Sequence, residues 1–336
     1  MSDELLVSVE AAEPESSWWR WLNTLGPLLA LLLVFGIFAV ITPASFRSVR
    51  NLELIARQTT IVGVAALGMT LVIIAGGIDL SVGSVVALST IVIAWLLEYG
   101  HVAPLPAALG GIAVAAFFGL ISGLLITRLH VVPFIVTLGM MLIARGAAKG
   151  IGAEQKIDVE PFRLQWLDKL LATLPPERSW MLLPPGVWVL IILAIAMAAL
   201  LRYTRLGRHA FAIGSNEQTA RLCGVAVDRA KVTIYTLGGA FAGIAGLMQF
   251  SRLTVGDPTV AVGLELDVIA AVVIGGGSLS GGEGSILGTM VGALIMTVIA
   301  SGCTQKGLPN WVQEIITGAV IVVAVAVDRL RHRRVA

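Results

Sequence analysis

Apolar runs close to membrane-crossing length, parted by short polar or glycine-rich breaks, fill most of this chain, and that pattern leaves it few ways to fold. A helix needs roughly 20 apolar residues to cross the hydrocarbon core. Runs of about that kind lie at Leu25–Ile41, Thr60–Ala75, Val82–Leu97, Leu105–Thr127 and Val131–Ala148. After a polar interval come Pro184–Leu201, Val232–Phe250, Gly263–Gly275, Ser285–Gly302 and Trp311–Val327. The pattern predicts an all-α, polytopic transmembrane bundle of about ten spans, the shorter runs being broken or tilted helices. Composition agrees. Hydrophobic residues make up 57% of the chain and charged residues 13%, against about 25% charged in a soluble domain. A globule in water could not hide that much apolar surface. The net charge of +2 gives no basic footprint for nucleic acid.

The expected organisation is a polar N-terminal tail over residues 1–24, a membrane domain over 25–327 and a basic tail over 328–336. Trp18, Trp19 and Trp21 suit an interfacial anchor for the first helix. Basic residues orient the spans. Arg202, Arg205, Arg208, Arg221, Arg229 and Lys231 crowd the 202–231 interval, Arg329, Arg331, Arg333 and Arg334 the tail, and Arg128 stands between the fourth and fifth spans. With ten spans and both termini cytoplasmic, all three places fall inside, as the positive-inside bias requires. Arg47, Arg50 and Arg57 then fall outside, as does the 150–183 interval, which reads as a partly helical outer cap with Pro161, Pro175 and Pro176. Cys223 and Cys303 fall on opposite sides, which argues against a disulfide, and two cysteines make no metal site.

Two interruptions carry the chemistry. The first is Gly76-Gly77-Ile78-Asp79-Leu80-Ser81-Val82-Gly83-Ser84. Unwound backbone at membrane depth survives only where protein or water satisfies it. Asp79 could cap the following helix at Ser81 or Val82, or the break could line a transport path. The second, Gly275 to Ser285, holds Gly276, Gly277, Gly281 and Gly282 and repeats the outline of glycines, Leu-Ser and Gly-Ser. An internal repeat and two similar glycine-rich turns both account for this. Its Leu279-Ser280-Gly281-Gly282-Glu283 looks like an ABC ATPase signature. The chain has no phosphate-cradling GxxxxGK[ST] loop beside it, so the match reads as a decoy.

The interval Leu206–Val225 is long enough for a short amphipathic helix, Asn216–Cys223, ended by Gly224 at a C-cap. Glu217 and Arg221 stand one turn apart, where they can pair. Arg145 and Lys149, near the outer end of the fifth span, suit snorkelling to the headgroups or docking of an acidic partner.

Taken together, Val64–Ser84, Pro133–Gly146, Gly207–Gly224 and Leu264–Gly292 resemble the ribose-type family of ABC importer permeases, in order and spacing, over nearly the whole chain after about residue 25. The resemblance implies a bacterial inner-membrane permease that pairs with a second copy or a paralogue. It further implies an ABC ATPase subunit that uses the ATP, and a periplasmic sugar-binding protein that delivers cargo. No cofactor, metal or catalytic residue is expected in the chain itself. The family's coupling loop falls on Arg208, Asn216, Glu217, Ala220 and Gly224. The usual pattern there opens Glu-Ala-Ala, whereas this chain has Glu217-Gln218-Thr219 before Ala220.

A neutral, hydroxyl-rich sugar needs scattered polar groups in its path. Candidates are Asp79, Ser81, Ser84, Thr137 and Asp267, since intramembrane acids are costly and kept for a reason. The rival reading is an ion-coupled secondary transporter of a small polar solute, which would need its own ion site. An enzyme would need a paired base and nucleophile, but His101, His130, His209 and His332 stand apart.

Overall fold

The computed structural model describes residues 17–173 and 181–333. Its helices are α1 (Ser17–Ile41), α2 (Val49–Ile74), α3 (Val82–Glu98), α4 (Pro104–Leu129), α5 (Pro133–Ile151), α6 (Pro161–Leu164) and α7 (Pro185–Tyr203). They continue with α8 (Arg205–Ser215), α9 (Glu217–Leu222), α10 (Val227–Leu253), α11 (Leu264–Ile274), α12 (Ile286–Gln305) and α13 (Asn310–Arg333). Every apolar run expected to be helical is helical. Among the described residues, six helices, α2, α4, α5, α7, α10 and α12, are long and apolar enough to cross a bilayer. The apolar stretches Gly26–Ile41, Val82–Glu98 and Asn310–Ala326 are shorter, and α11 has 11 residues. Residues 1–16 of the expected tail, Pro175, Pro176 and residues 334–336 lie outside the described residues, as do the side chains of the tryptophan anchor.

The helix α2 runs through the middle of the bundle, buried at every residue from Thr59 to Ile74. A helix apolar on all sides belongs in such a place. It packs on α7, α10, α11 and α12. Hydroxyls tie it to α12: Thr59 to Thr297 at 2.6 Å and Thr70 to Thr289 at 2.9 Å, all four buried. Arg50 and Arg57, expected in an outer loop, belong to the first turns of α2.

Glycines bring α4 and α10 into backbone contact. On α4, a β-carbon at Gly119 would overlap the Tyr235 carbonyl of α10, and one at Gly123 would lie 2.8 Å from the Val232 Cα. The converse holds on α10, where Gly239 meets the Ala115 carbonyl and Gly243 the Ile112 Cα at 2.7 Å. Lipid tails are as apolar as leucine, so helices associate in the bilayer through close contact of this kind.

Over its described residues the 150–183 interval is partly helical. It holds α6 and a 3-10 turn at Leu167–Lys169. A two-residue strand β1 (Ile157–Asp158) pairs antiparallel with β2 (Val255–Gly256), Ile157 opposite Gly256. Lys156 clips this pairing to Asp257 at 3.1 Å. Burial works against the charge of Asp257. Bonds from the Thr259 hydroxyl and amide and from Lys156 outweigh it and hold the carboxyl below the usual carboxylate range.

Candidate functional site: two helix breaks and a polar hairpin

Both breaks end their helices by the same local device. At the end of α2, Gly76 is left-handed (φ +77°), its amide donates to Ile73 O at 2.9 Å, and the Gly77 amide donates to Val72 O at 3.0 Å. At the end of α11, Gly276 (φ +88°) donates to Val273 O at 2.9 Å and Gly277 to Val272 O at 2.9 Å. This is the Schellman ending, in which a glycine without β-carbon strain lets two amides satisfy orphan carbonyls. The two stretches thus share a helix ending as well as an outline.

Asp79 Oδ1 accepts from the Ser81 amide at 2.8 Å and the Ser81 hydroxyl at 2.6 Å, which closes a turn just ahead of α3 and does not cap the helix itself, whose N-cap is Ser81. Both residues are buried. Thr137, fully buried on α5, donates to Ile78 O at 3.2 Å, and the Tyr235 hydroxyl of α10 packs on Gly77. So Asp79, Ser81 and Thr137 come together around the first break and hold its shape.

Ser84 and Asp267 lie elsewhere. Ser84, in the first turn of α3, accepts from Arg145 Nε at 3.2 Å. Arg145 Nη1 also donates to Pro258 O at 2.9 Å and Val260 O at 2.7 Å. The arginine therefore points inward and ties α5 to α3 and to the loop before α11. This corrects the reading of Arg145 as a snorkelling or outward-docking side chain: three acceptors on α3 and the loop before α11 hold the guanidinium within the protein. Glu265, in the first turn of α11, lies against Gly83, where a β-carbon would collide with its carboxylate and with Ala261 O. Asp267 shares that first turn. Sequence reasoning missed Glu265. The signal available was Gly83 itself, a small residue opening a helix where the facing chain must come close.

The second break is a turn between α11 and α12. Gly281 (φ +86°) and Gly282 (φ +78°) are left-handed, the Gly281 amide donates to Ser278 O at 3.0 Å, and Ser285 caps α12. The Leu279–Glu283 run is thus a bend joining two helices.

The 202–231 interval holds two helices where one was expected. Helix α8 is capped by Thr204, whose hydroxyl accepts from the Gly207 amide at 3.2 Å. Its apolar positions Leu206, Ala210 and Ile213 recur at helical spacing, the signal that could have revealed it. Helix α9 matches the expectation within its end residues. Asn216 Oδ1 caps it through the Thr219 amide at 2.8 Å, and Gly224 (φ +83°) ends it. Ala220 is its buried contact, against Ile213, Val227 and Ala230. Glu217 and Arg221 pair at 3.4 Å, as expected, and extend to Lys231 at 2.6 Å and Asp228 at 2.9 Å. Two carboxylates hold the Arg221 guanidinium above its ordinary range, the Asp228 hydrogen bond foremost. Arg208 and Asn216 are exposed, and Leu222, 88% exposed, stands out as an apolar tip. Among the described residues no group of His, Cys, Asp and Glu is arranged to hold a metal.

A buried helical core, broken helices and an exposed hairpin define a multi-pass membrane permease. The chain belongs to the family described as branched-chain amino acid transport system / permease component, whose profile matches residues 51–325. It is 37% identical over 320 residues to the ribose import permease protein of Escherichia coli (strain K12), covering 93% of this chain and 95% of that one. It is 33% identical to the L-arabinose ABC transporter permease protein of Azospirillum brasilense, covering 97% and 94%. The fructose import permease protein of Rhizobium meliloti is 35% identical, with 90% and 84% covered.

Proposed function

We propose that this chain is the membrane-spanning subunit of an ATP-driven importer for a monosaccharide. The carrying observation is that relatives similar over almost their full length are named for ribose, arabinose and fructose import or transport. The family description speaks of branched-chain amino acids. The full-length relatives weigh more, because they match end to end and agree on one cargo class.

In this reading the chain spans the inner membrane ten times, with both termini and the 202–231 hairpin in the cytoplasm and the 150–183 cap outside. Helix α9, with Glu217, Ala220, Leu222 and Gly224, docks on a separate ATPase, which binds and hydrolyses the ATP. A periplasmic sugar-binding protein delivers cargo at the capped face, and a second permease copy or paralogue completes the path. Asp79, Ser81 and Thr137 satisfy one another or backbone. Ser84 and Arg145 are likewise engaged with each other and with Pro258 and Val260; Glu265 and Asp267, partly exposed on α11, are the polar groups better placed to meet a passing sugar. The ion-coupled alternative loses ground because the relatives are named as import permeases and ABC transporter permeases.

The test is reconstitution of the chain with its ATPase and binding protein in vesicles. Uptake should follow ATP and ignore proton and sodium gradients. Uptake that persists without the ATPase, or follows a gradient, overturns the reading. Within it, replacing Glu217 and Gly224 should weaken ATPase assembly or uptake; if both stay unchanged, the docking assignment falls.

A further inference from the structure

Gly214, in the last turn of α8, lies between the ends of two membrane elements. A β-carbon there would overlap the carbonyl oxygen of Ile74, the final residue of α2, and the amide nitrogen of Gly282 in the second break. Those two groups are bonded to each other, the Gly282 amide donating to Ile74 O at 2.9 Å. Gly281 faces the same spot: a β-carbon on it would lie 2.8 Å from Gly214 O and 2.9 Å from the Gly76 Cα. The Ser215 amide nitrogen is 3.1 Å from the corresponding position at Gly282. Three stretches far apart in sequence thus meet backbone on backbone.

Left-handed φ explains the glycines at 76, 281 and 282. It does not explain Gly214, which is helical. Glycine inside a helix costs about 1 kcal/mol relative to alanine, so its presence there answers to the contact. Side chains can yield to a push by changing rotamer, whereas touching backbones have no such freedom. A displacement of α8 is therefore handed on to Ile74 and Gly282 without slack.

We propose that Gly214 and Gly281 are positioning residues of a rigid junction through which the α8–α9 hairpin moves both helix breaks together. The inference rests on the reading of α9 as the ATPase-docking helix. A push on α9 passes along α8 to the end of α2, hence to the turn that leads into α3 and Ser84. It passes at the same time to the turn that leads into α12.

The experiment compares Gly214→Ala with Gly36→Ala, a helical glycine with open space around it, each reconstituted as the full chain with its ATPase. The readout is sugar taken up per ATP hydrolysed, which a mere loss of folded protein would not move. Gly214→Ala should keep the ATPase bound and lower this ratio by about tenfold, within the range of ordinary coupling energies. Gly36→Ala should leave it unchanged. An unchanged ratio for Gly214→Ala overturns the junction. If the wild-type complex shows no ATP-driven uptake, the functional reading fails and the junction with it.

Should Gly214→Ala not fold, a Ser215→Cys/Gly282→Cys pair asks the same question in a chain with Cys223→Ser and Cys303→Ala. The β-carbon positions are 3.4 Å apart, at the near edge of disulfide geometry. The cross-link should form on oxidation and leave uptake per ATP intact, because the two pieces move as one. No cross-link, or uptake lost on oxidation and regained on reduction, overturns the proposal.

Discussion

Replacing Arg145 with alanine removes one fork that holds three pieces of the protein. Two of its bonds, at 2.9 and 2.7 Å, run to the carbonyls of Pro258 and Val260, and one of 3.2 Å runs to Ser84. Hydrogen bonds to charged groups contribute about 1.5–3 kcal/mol each, and a buried carbonyl left unpaired costs about 1–3 kcal/mol. The two short bonds alone set the loss at about 3 kcal/mol or more. For a large domain at about 2 °C per kcal/mol, the apparent melting midpoint in detergent should fall by about 6 °C. Both carbonyls are held by one nitrogen, Nη1; Arg145→Lys keeps the charge and three donors on a single nitrogen but lacks the second nitrogen that reaches Ser84, and should fall between. The assay is a thermal ramp of the purified protein, read by loss of the monodisperse peak. Uptake should drop as well, since the loop that Arg145 holds leads into α11. A midpoint within about 1 °C of wild type for Arg145→Ala would refute the argument, because a guanidinium at the headgroups contributes well under 1 kcal/mol.

Two further outcomes follow from the packing. In a double-mutant cycle, Thr70→Val and Thr289→Val should show a coupling near 0.6 kcal/mol, the usual worth of a hydrogen bond between membrane helices; zero coupling would mean that the 2.9 Å contact adds nothing. Asp257 titrates below its unfolded value of about 3.9, so its stabilisation is full above that pH and is lost as pH falls through the lower folded value. The midpoint gap between wild type and Asp257→Asn, wide at pH 7, should therefore close in strong acid. A gap constant across that range would show that the Lys156–Asp257 clip contributes no charge-dependent stability.

The positions of the membrane helices were legible because their signal is local. A run of apolar residues states its preference for lipid wherever it lies, and α3, α4, α5 and α7 fall within a few residues of the runs that mark them. Helix ends were legible for the same reason: Gly76, Gly224 and Gly276 terminate helices by bonds to their own last turn, and Asn216 caps by reaching three residues ahead. What local patterns could not state was partnership across the chain. Arg145 has the same sequence setting whether it turns to the headgroups or to Pro258 and Val260, and only the fold brings those carbonyls to it. Glu265 carries no signal without Gly83 opposite. Gly214 reads as an unremarkable helical glycine until α2 and the second break close around it. The bilayer, acting on each run separately, determined that these helices form; contacts between residues far apart in sequence decided what each break and each buried charge touches.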